Sequence, residues 1–154
     1  MTDLSFHQRL VLTNDEIDQL RLLWNKEYPV NLKNDHKQFI NYLSNLENCH
    51  HVLVLKNNAV VGWYFDFDRE GSRWFAMILD DKIQGKGVGT SIIQNYLKPK
   101  RPINGWVIDK DDYLKEDGNA YRSPLEFYHK NGCTVLDEER LELPHLSAVK
   151  IMFP

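Results

Sequence analysis

The spacing of apolar residues changes period several times along the chain, and each change predicts an element. Residues 5–12 read as a first strand. Thr13 and Glu16 then stand at capping-box spacing, and Ile17, Leu20, Leu23 and Trp24 follow on one side of a helix that Pro29 stops near Tyr28. A second helix is predicted from Asp35 to Leu46, with Phe39, Ile40, Leu43 and Leu46 inward. The period then falls to two. His51–Leu55 and Ala59–Phe67 read as strands joined at Asn57-Asn58, residues that tolerate the positive φ of a tight turn. Alternation along the second strand groups Val61, Trp63, Phe65 and Phe67 on one face and Gly62, Tyr64, Asp66 and Asp68 on the other. Gly71 marks another hairpin, leading into a strand over Ser72–Leu79.

The second half alternates between the two periods. A helix is predicted over 87–97, ending before Pro99, and a strand over Ile103–Ile108. Ser123 is placed to cap a helix, with Pro124 at its first position and Glu126 at the capping-box site, running to Gly132. Cys133–Leu143 and Ala148–Phe153 close the chain as strands. The order predicts an α/β fold with a mixed, mostly antiparallel sheet, not a repeating βαβ array.

Composition narrows the function classes. At 154 residues the chain predicts one domain spanning 1–154. Nineteen basic against 22 acidic side chains give a net charge of −3, which argues against a nucleic-acid partner. Cys49 and Cys133 stand apart with no Cys-x-x-Cys pair, a usage that suits a reducing cytosol. Asp3, His7 and Arg9 interrupt any signal-peptide core, and runs such as Ala59–Phe65 are too short to cross a bilayer. A cytoplasmic protein with no membrane partner is therefore expected. The six histidines lack zinc-ligand spacing, so no metal is expected.

The informative stretch is Met77–Thr90, where a strand feeds a glycine-rich turn that opens a helix. Unpaired amides and the macrodipole make such a junction an anion site, and Gly85, Gly87 and Gly89 would let a diphosphate approach the backbone, with Lys86 adding charge. The plainer alternative is a tight turn and a close helix contact. No Walker A pattern occurs, and a dinucleotide fingerprint would need glycine where Thr90 stands.

Gln84-Gly-Lys-Gly-Val-Gly89 instead resembles the acyl-CoA loop of the GNAT acetyltransferase superfamily, Arg/Gln-x-x-Gly-x-Gly/Ala. Leu125-Glu-Phe-Tyr-His-Lys-Asn-Gly132 resembles that family's late helix, and the element order agrees over nearly the whole chain. The resemblance implies a GNAT-like sheet with helices on both faces and transfer of an acetyl group from acetyl-CoA to the amine of a small-molecule or peptide acceptor by direct attack. It implies that the amides of Gln84, Gly85, Lys86, Gly87, Val88, Gly89 and Thr90 hold the CoA diphosphate. Ile78 and Leu79 would offer backbone groups to pantetheine, and Tyr128 would be the general acid. Tyr121 stands where the family often has a CoA-contacting asparagine. The resemblance leaves a homodimer open.

Several questions stay open at this level. Asp66, Asp68, Glu70 and Asp109 are each candidate bases, with none preferred. Trp24, Tyr28, Trp63, Tyr64 and Trp74 read as core aromatics, some of which would line an acceptor pocket. The acidic stretch 109–117 is either a solvated loop or an overhang favouring a cationic amine. A non-catalytic acyl-CoA sensor or interaction module is the rival to an enzyme.

Overall fold

A computed structural model describes residues 3–154. Its sheet has seven strands: β1 (Leu4–Arg9), β2 (Glu47–Lys56), β3 (Ala59–Arg69), β4 (Ser72–Leu79), β5 (Ile103–Val107), β6 (Thr134–Leu143) and β7 (Leu146–Phe153). Their spatial order is β1-β2-β3-β4-β5-β7-β6. Every neighbouring pair is antiparallel except β4 and β5, which run parallel. This is the mixed, mostly antiparallel α/β architecture that the hydrophobic pattern predicts.

Helices cover both faces. α1 (Asn14–Glu27) and α2 (His36–Ser44) lie on one, where Leu20, Leu23, Trp24 and Phe39 pack against Leu53, Trp63, Phe65 and Trp74. α3 (Val88–Ile92) and α4 (Leu125–Lys130) lie on the other, where Ile92, Ile93, Leu97 and Tyr128 pack against Val52, Tyr64, Phe75 and Ile151. The capping box at α1 forms as expected: Glu16 N–H donates to Thr13 Oγ1 at 3.1 Å, and Thr13 N–H donates to Glu16 Oε1 at 2.9 Å. Asp35 and Gln38 make a second box at α2.

Several local expectations are corrected. β1 ends at Arg9, leaving Leu10 and Val11 exposed. In α2 it is Tyr42, not Ile40, that faces the core, because Ile40 lies on the outer side of a short helix. Val61 does not share the face of Trp63: the β2–β3 register passes from Leu55 opposite Val60 to Val54 opposite Gly62, so Val61 is a bulged extra residue and packs on the α3 side. The helix after Gly87 continues past α3 as a π turn over Ile93–Leu97 and a 3-10 turn over Lys98–Lys100 that contains Pro99. α4 starts one residue later than expected, with Pro124 as its cap residue, and Ser123 Oγ accepts from Leu125 N–H at 3.2 Å.

The charged residues on the α3 face of β3 are structural. Asp66 is fully buried and accepts from Tyr64 Oη at 2.7 Å, Arg73 Nε at 3.0 Å and Lys100 Nζ at 2.8 Å. Its lone pairs are committed to cations, which removes it as a candidate base.

One buried group ties stability to pH. His51 is 5% exposed, and its Nδ1 accepts from Trp63 Nε1 at 3.0 Å, a bond only the neutral ring can make. Burial, then the neighbouring His50, pushes its pKa down to about 4. Between there and the ordinary value near 6.5 the unfolded chain binds more protons than the folded one, so stability is full above that window and falls as pH drops through it. The loss should reach roughly 3 kcal/mol. Urea unfolding across this range should show it, with a shallower slope in His51→Gln; equal slopes would count against the assignment.

Candidate active site

The parallel pair is the origin of the site. β4 and β5 are in register at one position only, Trp74 opposite Asn104, where Asn104 Nδ2 also donates to the Arg73 carbonyl at 3.3 Å. Beyond it the two strands diverge, while β4 stays paired with β3 up to Leu79 opposite Gly62. The outer edge of β4 is thereby left without a partner strand at its C-terminal end. Asp80 N–H donates to the Val61 carbonyl at 2.9 Å, so alternation turns the backbone groups of Ile78 toward β3 and those of Met77 and Leu79 toward the opening. Ile78, singled out from the sequence, is buried against the α1 face; Met77, which was not, takes the exposed edge.

Two cavities open on either side of this gap. One, of about 440 Å³, is lined by Met77, Ile78, Leu79, Gln84, Gly85, Gly87, Gly89 and Thr90 from the strand and loop, and by Phe127 and Tyr128 from α4. The other, of about 480 Å³, lies toward α1 and is walled by Trp24, Tyr28, Tyr42, Phe67, Trp74 and Trp106. Tyr28, Met77, Tyr121, Pro124 and Tyr128 belong to both, so the cavities meet at these residues.

The loop is built to present amides. Gly85 and Gly87 have φ of 72° and 82°, a left-handed backbone that only glycine adopts freely, and a Cβ at either would meet nothing within 4 Å. Gly89 serves a different purpose: a Cβ there would lie 2.7 Å from Phe127 Cζ, so its bareness lets α4 approach α3. The first helical bond runs from Ser91 N–H to the Gly87 carbonyl at 3.0 Å, which leaves the amides of Val88, Gly89 and Thr90 without intrahelical acceptors. Val88's side chain is buried in the core, so only its amide is available, and Lys86 is exposed beside the cavity. Gln84 Nε2 donates to the Leu79 carbonyl at 2.8 Å and holds the loop to the strand end. Glu27, unmarked in the sequence, does the same from α1: its Oε2 accepts from Asp81 N–H at 3.0 Å. Arg122, also unmarked, lines the loop-side cavity and adds positive charge. A glycine-lined cradle of free amides with a cation on its rim fits a diphosphate.

Tyr128 sits where the cavities join. Its ring is held edge-on to Phe75 at 5.6 Å, and Gly105 makes room for Phe75, since a Cβ there would lie 2.7 Å from Phe75 Cε1. Among the described residues its hydroxyl has no hydrogen-bond partner. Burial pushes the phenol pKa well above its ordinary value, so the group stays protonated at neutral pH. Such a hydroxyl can donate a hydrogen bond or a proton to a group at the junction.

The other acidic candidates lie elsewhere. Asp68 is held by Arg73 and Asn48, and Glu70 occupies the β3–β4 turn. Asp109 accepts from Arg140 at 2.9 and 3.0 Å. None of these lines either cavity. The 109–117 stretch is a solvated loop, its acids Asp111, Asp112, Glu116 and Asp117 exposed, and it is not an acidic overhang, since none of its carboxylates lines either cavity. It folds against the end of α1, with Val30 N–H donating to the Leu114 carbonyl at 2.8 Å and Tyr121 N–H to the Tyr113 carbonyl at 2.8 Å. Three of its carboxylates make surface contacts within the protein: Asp111 accepts from Ser123 N–H, Asp117 from Asn119, and Glu116 pairs with Lys33. What it delivers to the site is Tyr121, whose ring lies 6.3 Å from Tyr28. Among the described residues no helix is long and apolar enough to cross a membrane.

No protein-family model matches the sequence. No curated protein matches it either. Solved structures do match, along essentially the full chain. An acyl-CoA N-acyltransferase from Pseudomonas aeruginosa superposes with a TM-score of 0.71 at 14% identity, covering 99% of this chain and 100% of that one. An aminoglycoside 6'-N-acetyltransferase complexed with coenzyme A gives 0.69 at 14% identity, covering 97% and 96%. Naa50 from Arabidopsis thaliana, in complex with the bisubstrate analogue CoA-Ac-MVNAL, gives 0.64 at 15% identity, covering 99% of each chain.

Proposed function

Because the chain has the fold of the GNAT acetyltransferases, we propose that it transfers an acetyl group from acetyl-CoA to the amine of a small-molecule or peptide acceptor, by direct attack and without a covalent enzyme intermediate. The observation that carries this reading is the meeting of two cavities at Tyr128 and the free edge of β4, one of them ending on the glycine loop. Acetyl-CoA supplies an acyl carbon activated by a thiol leaving group.

The amides from Gln84 to Thr90, with Lys86 and Arg122 nearby, hold the diphosphate. The Leu79 carbonyl is already taken by Gln84, so Leu79 N–H and the backbone groups of Met77 remain for the pantetheine arm and the thioester. Met77 N–H stabilises the negative charge that gathers on the carbonyl oxygen as nitrogen adds, a contribution of about 3 kcal/mol for a well-placed donor. Tyr128 O–H donates its proton to sulfur as the carbon–sulfur bond breaks. The proton that nitrogen sheds as the carbon–nitrogen bond forms goes to water, and water returns a proton to the Tyr128 phenolate, so the protein ends the cycle as it began.

Titration calorimetry with coenzyme A and acetyl-CoA, followed by a thiol-release assay against a panel of amines, tests the proposal. Saturable heat and amine-dependent thiol release are expected. Absence of heat with either compound overturns it, and heat without release on any amine selects the non-catalytic sensor.

A further inference from the structure

We infer, on the reading just given, that the acceptor is a short extended peptide segment that offers its α-amine to the site, carries apolar or aromatic side chains, and bears a carboxylate about 10 Å from that amine. The cavity on the α1 side sets the first requirement. Its walls are largely aromatic and aliphatic, and among the described residues the only charged side chains lining it are Lys33 and Arg69. A polyamine or an aminoglycoside would meet cations there and no carboxylate, an arrangement that disfavours a polycationic acceptor.

The second requirement comes from Arg69 and Trp74. The Arg69 guanidinium lies 4.9 Å above the Phe67 ring and 5.9 Å from Trp74, and among the described residues it makes no ion pair. Trp74 is 7% exposed and forms part of the cavity wall, and among the described residues its buried indole N–H has no hydrogen-bond partner. A carboxylate at this end of the cavity would pair with the Arg69 guanidinium that lies against the Trp74 ring.

Strand geometry then sets the span. Trp74 and Met77 are three residues apart on β4, roughly 10 Å at the usual rise per residue. An extended tripeptide covers about the same distance from its α-amine to its terminal carboxylate. The chemistry of the amine agrees. Among the described residues no carboxylate lines this cavity, and Glu27, which lines the adjoining one, is held by the Asp81 amide, Lys26 and Lys115; an α-amine with an ordinary pKa near 8 is partly neutral at physiological pH, whereas a lysine amine near 10.4 is almost wholly charged. The carboxylate can be a free C-terminus or an acidic side chain at the third position of a longer segment.

Steady-state thiol release with acetyl-CoA distinguishes these cases. The acceptors are Phe-Ala-Ala as free acid, its C-terminal amide, an amidated hexapeptide beginning Phe-Ala-Glu, and spermidine, each on wild type and Arg69→Gln. The free acid or the Phe-Ala-Glu peptide should show a KM at least tenfold below that of the tripeptide amide. Arg69→Gln should erase that difference through KM, with kcat within twofold. Which of the two carboxylate peptides is preferred identifies the source. Equal KM for acid, amide and Phe-Ala-Glu peptide, or a preference for spermidine, overturns the inference. If no acceptor is turned over, the same peptides are titrated onto protein saturated with coenzyme A, and failure of both carboxylate peptides to bind overturns it equally. Coenzyme A titration run in parallel separates the two proposals, because spermidine turnover with normal coenzyme A binding refutes this one alone.

Discussion

Tyr128→Phe should lower kcat by about a hundredfold or more and leave the affinity for coenzyme A within about twofold. The substitution deletes one oxygen and keeps the ring. Phe75 and Phe127 pack on that ring at 5.6 and 5.3 Å, and neither contact involves the hydroxyl. The hydroxyl makes no protein hydrogen bond among the described residues, so its removal leaves no buried partner stranded and the melting temperature should hold. Burial keeps the phenol protonated at neutral pH, so on the proposed mechanism the wild-type protein would have its acid ready wherever the acceptor amine is neutral. Thiol-release kinetics and calorimetry on the same preparation check both halves. A variant with wild-type kcat would make Tyr128 a packing residue only and transfer the acid's role to water.

Gly87→Val should weaken coenzyme A binding by about a hundredfold or more while the protein remains folded. At φ of 82° a β-branched residue is strained whatever space surrounds it, at a cost of about 1–2 kcal/mol. Nothing in the protein lies within 4 Å of the added Cβ, so the core is untouched and thermal unfolding should stay cooperative. The side chain projects where the diphosphate would rest, and any relief of the φ strain re-aims the amides of the turn. Gly89→Val behaves differently. Its Cβ would lie 2.7 Å from Phe127 Cζ, so it should push α4 away and lower stability, with the loss of binding secondary. Tight coenzyme A binding by Gly87→Val would remove the loop from the site.

The glycine loop was legible because its signal is local. Alternate glycines after a strand, followed by helical spacing, describe a turn whose amides must point outward, and the positive φ at Gly85 and Gly87 is what those residues are for. The late helix was legible too, and with it Tyr128. What the string did not separate is the purpose of the third glycine: Gly89 is bare for the sake of Phe127, 38 positions later in the chain. Ile78 and Met77 show the same limit. They are neighbours in sequence, and only the β3–β4 register decides which turns its backbone to the opening. Val61 was misplaced by a bulge, since alternation assumes that no residue is skipped. The carboxylates of 109–117 are solvated, one of the two readings their spacing allows, and only the fold shows that Asp109, Asp111 and Glu116 turn to Arg140, the Ser123 amide and Lys33 and not to an acceptor.

By itself, then, the order of residues determined the elements, the α/β class and the amide-presenting turn, since caps, periods and glycine conformations depend on neighbours within a few positions. Tertiary structure decided the rest: that β4 and β5 are paired in register at a single position and then part, that an aromatic cavity and a glycine-lined one meet at Tyr128, and that Asp66 is locked while Arg69 is left available. These outcomes turn on contacts between residues dozens of positions apart, whose register and burial are settled only when the whole sheet is assembled.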